Sequence, residues 1–488
     1  MIRTLIFSFL LILFTLLEAM SVNGQSFPVN NAGFAESAHP PENADSLLKV
    51  YRTLSNSDSA GSVNFRKLGF LYFSQQNYRK SQQVFDEILR QNPTDELALK
   101  YHFWSALNTG SVTDARKTLR KMNAYQLTEV DEQKPGIFQQ VDAGSGVIIS
   151  NNFQRNGDAL NRNRDTVYSS QVLDGNMYYS YLGVQLNPLP WLGFYVSYQN
   201  LHIKKWKQHY IQDYVINDSI LEYSANGTDY YRPLFSPSPV WIHKKYDLVQ
   251  NQYYVNAEIS PGKGWKFVPA FHYLKFRHEP FNIDYSTKEF LAVPYDTANT
   301  VIPVYRIYNF QETFTEWAGG LNIYKDLGNF NLSAGLIFSE IGNEQNRQLG
   351  GQVVWFPFGN LNLFFSANAD ILAGERDTSA VFGAGAGGKI LGKLWGDISC
   401  ISGNLKSFTD NNVYIVYNTL NRSDKKISSG LTWVLNKNIN LQLRYIYSDM
   451  QAEQMVYPIN SETHQKMPFN SFNAYQTHSI IAGISWKL

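Results

Sequence analysis

The sequence predicts an α plus all-β protein, in which a small N-terminal α-helical solenoid precedes an antiparallel transmembrane β-barrel of about 14 strands. Three observations lead to this prediction. The chain begins with the pattern of an export signal, the apolar spacing is helical up to about Pro135, and beyond it the apolar period changes to two. The expected divisions are a signal peptide over 1–24, a disordered segment over 25–43, a helical domain over 44–130 and a barrel over 136–488.

The N-terminus predicts export. Arg3 precedes an apolar run from Leu5 to Leu17 that is too short to span a membrane as a helix, which is typical of a signal peptide. The small residue Gly24 predicts cleavage just after it. The only cysteine is Cys400, so neither an intrachain disulfide nor a lipid anchor on the first mature residue is expected.

The composition narrows the class of protein. Lys and Arg total 42 and Asp and Glu total 41, so no strongly basic face is expected and nucleic acid is not an expected partner. After the signal peptide, no apolar segment approaches the ~20 residues that a membrane-spanning helix needs. If the chain crosses a membrane, it must do so as a closed barrel.

The stretch from Ser62 to Asp95 has the length of one helix-pair repeat of roughly 34 residues. A glycine falls where two helices approach closely, aromatic residues fill the space between them, and a proline ends the second helix. The interhelical packing positions are Phe65, Leu68, Gly69, Tyr72, Ser81, Phe85, Ile88 and Pro93. This pattern resembles the tetratricopeptide (TPR) repeat family.

The neighbouring repeats are less regular. A second helix pair is expected between Glu96 and Lys121, broken near Gly110, and a capping helix is expected from Ala44 to Leu54. Because such arrays need about three repeats to bury a continuous core, this shorter array is expected to be stabilised by contacts with the barrel. The resemblance implies a docking surface for a protein partner. The alternative is a plug or spacer that only organises the entrance of the barrel.

The last strand shows the two-residue period most clearly. One face carries Ile480, Ala482, Ile484, Trp486 and Leu488, whereas the residues between them are mostly small or polar. This is the apolar-out, polar-in alternation of a transmembrane barrel. The C-terminal residues also resemble the signal read by the bacterial barrel-insertion machinery.

Connection lengths distinguish a barrel from a soluble sandwich. Tight turns are predicted at Asn187-Pro188, 261–264, 326–328, 358–360, 391–393 and 436–438. Longer loops are predicted at 151–175, 205–246, 278–309, 340–347, 373–380, 408–424 and 450–476. Strict alternation of the two kinds is expected of a barrel with periplasmic turns and extracellular loops. Aromatic residues beside the turns predict a girdle at the membrane interface: Trp191, Trp265, Phe358, Trp395 and Trp433.

Polar residues on the inward parity are predicted to line the lumen. They are Asp142, Gln250, Gln252, Asn256, Glu258, Asn362, Asn368, Asp370 and Arg444. Two interpretations stay open, since a barrel of this size either holds an open pore or is filled by polar side chains that hydrogen-bond to one another.

The longest predicted loop, from Lys204 to Tyr246, combines aromatic rings with lysines, a composition that suits saccharides. The candidate ligand residues are Trp206, His209, Tyr210, Tyr230 and Trp241. The alternative is that these rings only pack the loop onto its own barrel.

No catalytic motif stands out. The sequence has no GxSxG, HExxH or phosphate-cradling glycine loop in a suitable context. His272 and His278 share strand parity, so an enzyme with a metal or acid–base site at the barrel rim is an alternative function. We expect no enzymatic activity, no cofactor and no metal.

A TPR-like module joined to an outer-membrane barrel is similar in architecture to exopolysaccharide-export porins. The resemblance implies a transport or export conduit in the cell outer membrane, with a saccharide polymer as cargo. The helical domain would lie in the periplasm and bind a periplasmic protein, and outer-membrane lipids would surround the barrel. The alternative is an envelope scaffold for which the barrel is merely the anchor.

Overall fold

The computed structural model describes residues 61–488 except 131, 133–135, 163–165, 226–227, 263, 291–299, 376, 419–420 and 459–468. Three predictions lie outside the described residues: the signal peptide over 1–24, the disordered segment over 25–43 and the capping helix from Ala44 to Leu54. The fold-class prediction is confirmed, since a small helical segment precedes a closed antiparallel barrel of 14 strands.

From residue 61 onward, the described part of the chain has five helices before the barrel: α1 Gly61–Ser74, α2 Tyr78–Gln91, α3 Glu96–Asn108, α4 Val112–Lys121 and α5 Ala124–Glu129. The side chain of Asn77 accepts a hydrogen bond from the Lys80 N–H at the start of α2, and that of Asp95 does the same for Ala98 in α3. Phe85, Leu99 and other buried apolar residues form the core between the helices. No described helix combines the length and apolar content needed to cross a membrane.

Helices α1 and α2 approach closely at Gly69. A Cβ at this position would lie 2.7 Å from Cζ of Phe85, and the Ser81 hydroxyl donates a 3.0 Å hydrogen bond to the Gly69 carbonyl. Phe85 is fully buried beneath this contact. A larger residue at position 69 therefore has no room unless the two helices separate.

The barrel strands close into one sheet in which the first strand, Phe138–Ser150, pairs with both the second, Thr166–Leu189, and the last, Phe469–Lys487. The barrel strands are β1 Phe138–Ser150, β2 Thr166–Leu189, β3 Leu192–Ala225, β4 Thr228–Gly262, β5 Trp265–His278, β8 Glu312–Leu327, β9 Phe330–Ile341, β10 Glu344–Trp355, β11 Leu363–Ala373, β12 Thr378–Leu391, β13 Leu394–Gly403, β16 Arg422–Val434, β17 Ile439–Pro458 and β18 Phe469–Lys487. The remaining elements are α6 Asn152–Asn156, β6 Phe281–Phe290, β7 Thr300–Asn309, β14 Thr409–Asp410 and β15 Ile415–Val416.

Both ends of the barrel sequence lie on the side of the tight turns. Gln140 of β1 pairs with Lys487 of β18, and Phe138 lies opposite Leu186 near the β2–β3 turn. We call this side the turn end and the opposite side the loop end. The helices that precede β1 therefore lie on the turn-end side of the barrel.

Several predicted connections differ from the structure. The predicted loop 205–246 is a β-hairpin, because β3 and β4 stay paired as far as Ala225 and Thr228. Its alternating Tyr, Ile and Val residues favour pairing more strongly than its charges favour a loop. The predicted loop 340–347 is a two-residue turn at Gly342 and Asn343, whose positive φ angles of 65° and 60° suit a tight hairpin. Because this short turn lies among the predicted long loops, the alternation of short and long connections is not strict. The predicted tight turn at Asn187-Pro188 is displaced, since β2 continues to Leu189 and the turn to β3 lies at Pro190 and Trp191.

The exterior of the barrel is apolar. Outward residues such as Ile484, Trp486 and Phe382 are 42%, 53% and 61% exposed. A continuous apolar exterior of this kind is costly in water and belongs in lipid. Trp191, Trp265 and Phe358 are exposed near the turn end, as the predicted girdle requires, and Trp433 pairs with Leu441 on the outward register. Trp395 departs from the prediction, because it shares the lumen-facing register of Asp397.

Gly69→Leu tests the contact between α1 and α2. We expect the helical domain to lose about 1–3 kcal/mol of stability, because the larger side chain forces the helices apart. The barrel should keep its heat-modifiable gel mobility, while helical circular dichroism melts at a lower temperature. Gln91→Leu, on the exposed end of α2, is the matched control and should leave the melting temperature unchanged. Loss of barrel assembly in the Gly69 variant would contradict the division of the chain into two folding units.

Candidate functional site in the barrel lumen

Residues 404–418 and 421, between β13 and β16, fold into the barrel and carry the short strands β14 and β15; we call them the inserted hairpin. Its tip is bonded to strands on the far side of the barrel. The Tyr254 hydroxyl donates to the Asn412 carbonyl at 3.0 Å, and the Tyr324 hydroxyl donates to Asn412 Oδ1 at 2.6 Å. His272 Nδ1 lies 2.8 Å from the Val413 carbonyl. Because β4, β5 and β8 lie across the strand order from β13 and β16, the inserted hairpin crosses the lumen.

Side chains along the inserted hairpin add further polar anchors. The Gln348 amide accepts from Thr409 N at 3.1 Å and from Thr409 Oγ1 at 2.9 Å, and it donates to the Thr409 carbonyl at 3.0 Å. Near its end, Asn418 donates to Glu316 at 3.1 Å and Asn421 donates to Asp174 at 2.8 Å. These polar groups of the inserted hairpin thus have hydrogen-bond partners on the barrel wall.

Apolar contacts hold the same segment. Leu405 and Phe408 are buried against Leu372 and Val381 of the barrel wall, with 0–5% of each side chain exposed. Burying side chains of this size stabilises the inserted position by roughly 1.5–3 kcal/mol each. The predicted external loop 408–424 is therefore wrong, because a polar segment of this composition has the same pattern in an external loop as in a lumen.

The tip of the inserted hairpin has a strained backbone. Asn411, Asn412 and Val413 have φ angles of 52°, 56° and 68° in succession. Asparagine tolerates this left-handed conformation, whereas for a β-branched valine it is a genuine outlier. Such strain persists only where surrounding contacts impose it, and it concentrates at clamps and switches. Here the contacts are those of the barrel wall.

The half of the lumen toward the loop end is packed. Two apolar clusters fill it: Leu173, Met450, Ala452 and Tyr475 form one, and Met177, Ile203, Leu248, Leu274 and Phe276 form the other. The buried Lys205 ammonium lies 2.6 Å from the Asp174 carboxylate, which Asn421 of the inserted hairpin also contacts. The end of the inserted hairpin is therefore tied to the packed half.

The half of the lumen toward the turn end is polar, and few side-chain atoms project from its wall toward the barrel axis. Polar side chains lie flat over a glycine of the neighbouring strand, Asp397 over Gly430 near the turn end and, nearer the middle of the barrel, Asn322 over Gly335, Asp370 over Gly350 and Asn368 over Gly383. A Cβ at any of these glycines would overlap the amide or carboxylate oxygen and push it toward the axis. Glycine in these positions keeps the polar groups against the wall and the lumen clear.

Water reaches this half of the lumen. Arg444 of β17 and Asp397 of β13 lie 3.7 Å apart on the lumen side, with their side chains 50% and 35% exposed. An ion pair in contact with solvent contributes little stability. Its exposure identifies the wall of β13, β16 and β17 as the side of a water-accessible space, which we call the inner vestibule.

The helices lie against the turn end of the barrel. The guanidinium of Arg79 in α2 donates to Asp326 at 2.9 Å and lies 3.7 Å from the centre of the Phe356 ring. The backbone N–H of Arg79 donates to the Gly359 carbonyl. In α4, Lys117 donates to the Ser260 carbonyl at 2.9 Å and Arg120 to the Asn187 carbonyl at 2.7 Å. These contacts reach β2 and the β10–β11 turn, which lie on opposite sides of the strand order, so the helical domain spans the mouth.

Glu258 belongs to this covered mouth. Its carboxylate accepts a 2.6 Å hydrogen bond from Thr113 and lies 4.0 Å from Lys266. Burial lowers the pKa of Arg116 in α4 to about 10, and the charge of Glu258 opposes that shift, so the guanidinium stays protonated at neutral pH. The predicted lumen residue Glu258 thus contacts the helical domain.

The other predicted lumen residues have several surroundings. Asn368 and Asp370 lie on the polar wall, and Arg444 lines the inner vestibule with Asp397. Asp142 accepts a hydrogen bond from Gln140, and Asn256 donates one to Tyr254. Gln250 and Gln252 are buried opposite Phe276 and Leu274, and Asn362 lies just before β11. In the sequence, the signal for a lumen with free space was the set of glycines at lumen-facing positions of the strands.

Most candidate residues of the predicted external ligand loop are packed. Trp206 contacts the Phe153 ring at 5.4 Å, His209 contacts Phe281 at 5.1 Å, and Tyr210 is 7% exposed. Trp241 is 38% exposed and lies under the Arg162 guanidinium. The side chain of Tyr230 lies outside the described residues. The packing alternative accounts for the first three.

The histidines are also engaged. His272 faces the inserted hairpin, and His278 lies 2.9 Å from Glu312. Among the residues that the structure describes, no group of three or more His, Cys, Asp or Glu side chains is placed to hold a metal ion.

No protein-family model matches this chain, and no curated protein matches it. Among solved structures it is similar to the P. putida toluene transporter TodX, with 9% identity over 75% of this chain and 92% of that one and a TM-score of 0.38. It is also similar to the Ralstonia pickettii toluene transporter TbuX, with 9% identity over 72% and 90% and a TM-score of 0.40. A Pseudomonas aeruginosa FadL homologue has 7% identity over 71% and 89% and a TM-score of 0.36. Similarity at this level carries no argument about function.

Arg79→Leu tests the attachment of the helical domain to the barrel. Removing the guanidinium from its contacts with Asp326 and Phe356 should cost about 1–2 kcal/mol. Hydrogen exchange in α2 and the β10–β11 turn should then be roughly five- to thirty-fold faster. Arg90→Leu removes only an exposed ion pair with Glu87 and should leave the exchange rates unchanged. Equal exchange rates in the Arg79 variant and the wild type would show that this contact does not hold the domain.

Proposed function

We propose that this protein is a gated conduit of the bacterial outer membrane, with the inserted hairpin as the gate and the helical domain on the periplasmic side. The inserted hairpin carries the proposal. It crosses a lumen whose turn-end half is polar and water-accessible, and its strained tip is held by a few hydrogen bonds to the opposite wall. An element with two discrete positions is what a gate requires.

The outer-membrane location rests on the barrel itself. A closed barrel with an apolar exterior satisfies the backbone hydrogen bonds of a membrane-spanning chain without helices. The predicted signal peptide is consistent with export to the cell envelope. The turn end then faces the periplasm, as in barrels with short periplasmic turns.

The scaffold alternative explains fewer features. A barrel that serves only as an anchor needs lipid-facing alternation, but it has no need of glycines that keep polar side chains flat against the lumen wall. The helical domain remains part of the proposal as a TPR-like docking module. Two helix pairs, α1–α2 and α3–α4, support this part of the proposal, and a position over the mouth would let a periplasmic partner act on the passage.

Asn412→Ala tests the gate. The substitution removes the hydrogen bond from Tyr324 and raises the strain of the left-handed backbone, so the tip should leave the wall more often. In liposome swelling with small sugars, we expect the variant to admit solute several-fold faster than the wild type. Asn343→Ala changes the same residue type at a similar φ in the β9–β10 turn and should match the wild type. Absence of swelling in both the wild type and the Asn412 variant would favour the scaffold.

Cysteine labelling tests the orientation. Gly328 and Gly342 have φ angles of 59° and 65°, and each has open space around a Cβ, so cysteine is strained to a similar degree at both positions. With Cys400 replaced by serine, Gly342→Cys at the loop end should react with an impermeant thiol reagent on intact cells. Gly328→Cys at the turn end should react only after the outer membrane is permeabilised. The reverse pattern would place the helical domain outside the cell.

A further inference from the structure

A polar cavity of about 180 Å³ lies between the inserted hairpin and the wall of β8 to β11. This is several times the roughly 30 Å³ that one water molecule occupies in the liquid. We propose that this cavity is a binding subsite for one ring of an uncharged sugar. Its role as a step in passage rests on the conduit proposed above, but the binding itself does not.

The lining suits hydroxyl groups. Side-chain amides of Asn322, Gln352 and Asn368 line its wall, whereas the amide of Gln348 is already engaged by Thr409 and Asp370. Each amide has both donor and acceptor groups, and a sugar hydroxyl also both donates and accepts. A ring that carries several hydroxyls can thus pair with several amides at once, whereas an apolar solute would leave them without partners.

The charges select against anions. Asp370 and Asp410 are the two charged residues of the described lining. The Asp370 carboxylate accepts one amide hydrogen bond on each oxygen, from Gln348 and from Asn368, both at 3.1 Å. Each oxygen keeps acceptor capacity for a hydroxyl donor. A negatively charged sugar would meet two carboxylates with no cation in the lining to balance them.

The shape also suits a ring. Gly335 and Gly350 lie side by side on the lumen-facing register of this wall, so no Cβ projects into the cavity at these positions. Tyr324 and Phe408 contribute aromatic rings to the lining. A concave site with aromatic rings and a few convergent polar groups is typical of small-ligand pockets.

The gate supplies one side of the subsite. Phe408, Thr409, Asp410, Asn411 and Asn412 belong to the inserted hairpin, and the remaining lining belongs to the barrel. A bound ring would contact the Asn412 side chain, which anchors the tip to Tyr324. Binding and gate position are therefore linked through the same hydrogen bonds.

Equilibrium dialysis of the detergent-solubilised full-length protein against radiolabelled glucose tests the subsite. We expect a dissociation constant of about 1 mM, as befits one ring with few contacts. Asn368→Leu replaces a lining amide with an apolar side chain and should weaken binding at least tenfold. Ala369→Leu adds the same side chain to the lipid-facing side of β11 and should leave the affinity unchanged.

Charged analogues complete the test. Glucuronate should bind at least tenfold more weakly than glucose, because it brings a carboxylate to Asp370 and Asp410. Binding of glucosamine without binding of glucose would overturn the proposal in favour of a cation site. So would unchanged glucose binding in the Asn368 variant. Swelling without glucose binding overturns the subsite and keeps the conduit, whereas binding without swelling overturns the conduit and keeps the subsite.

Discussion

The closure of the barrel between β1 and β18 is the constraint on which the rest of the structure depends. In lipid, every backbone N–H and C=O group must find a partner within the protein, and an open sheet edge would leave a row of them unpaired. The pairing of β1 with β18 removes that edge along its whole length, from Gln140–Lys487 to Ser150–Thr477. Closure also creates an interior, and the remaining features concern how that interior is filled.

The interior is divided along its length. Toward the loop end, apolar side chains pack as in a soluble core, and they hold the end of the inserted hairpin through the Asp174–Lys205 pair and Asn421. Toward the turn end, glycines let polar side chains lie against the wall, so water reaches Arg444. Close packing in one half makes the hairpin position well defined, and free space in the other gives its tip somewhere to move.

The helical domain depends on the same interior. Its core of two helix pairs is small for an independent solenoid, and it gains contacts from the barrel mouth through Arg79, Lys117 and Arg120. These contacts are side-chain hydrogen bonds to turns and strand ends and not a continuous apolar interface. An attachment of this kind holds the domain over the mouth while leaving it able to separate at modest cost.

The sequence by itself determined the parity of the barrel strands, their number and the side on which both ends of the barrel lie, because the alternation in segments such as 480–488 and the tight turns are local properties. Only the tertiary structure decided that the inserted hairpin enters the lumen and that 205–246 stays paired as a hairpin. A polar segment is equally compatible with solvent and with a wall that meets its hydrogen bonds. The partners that meet them, Tyr254, His272 and Gln348, lie on distant strands that only barrel closure brings opposite the segment.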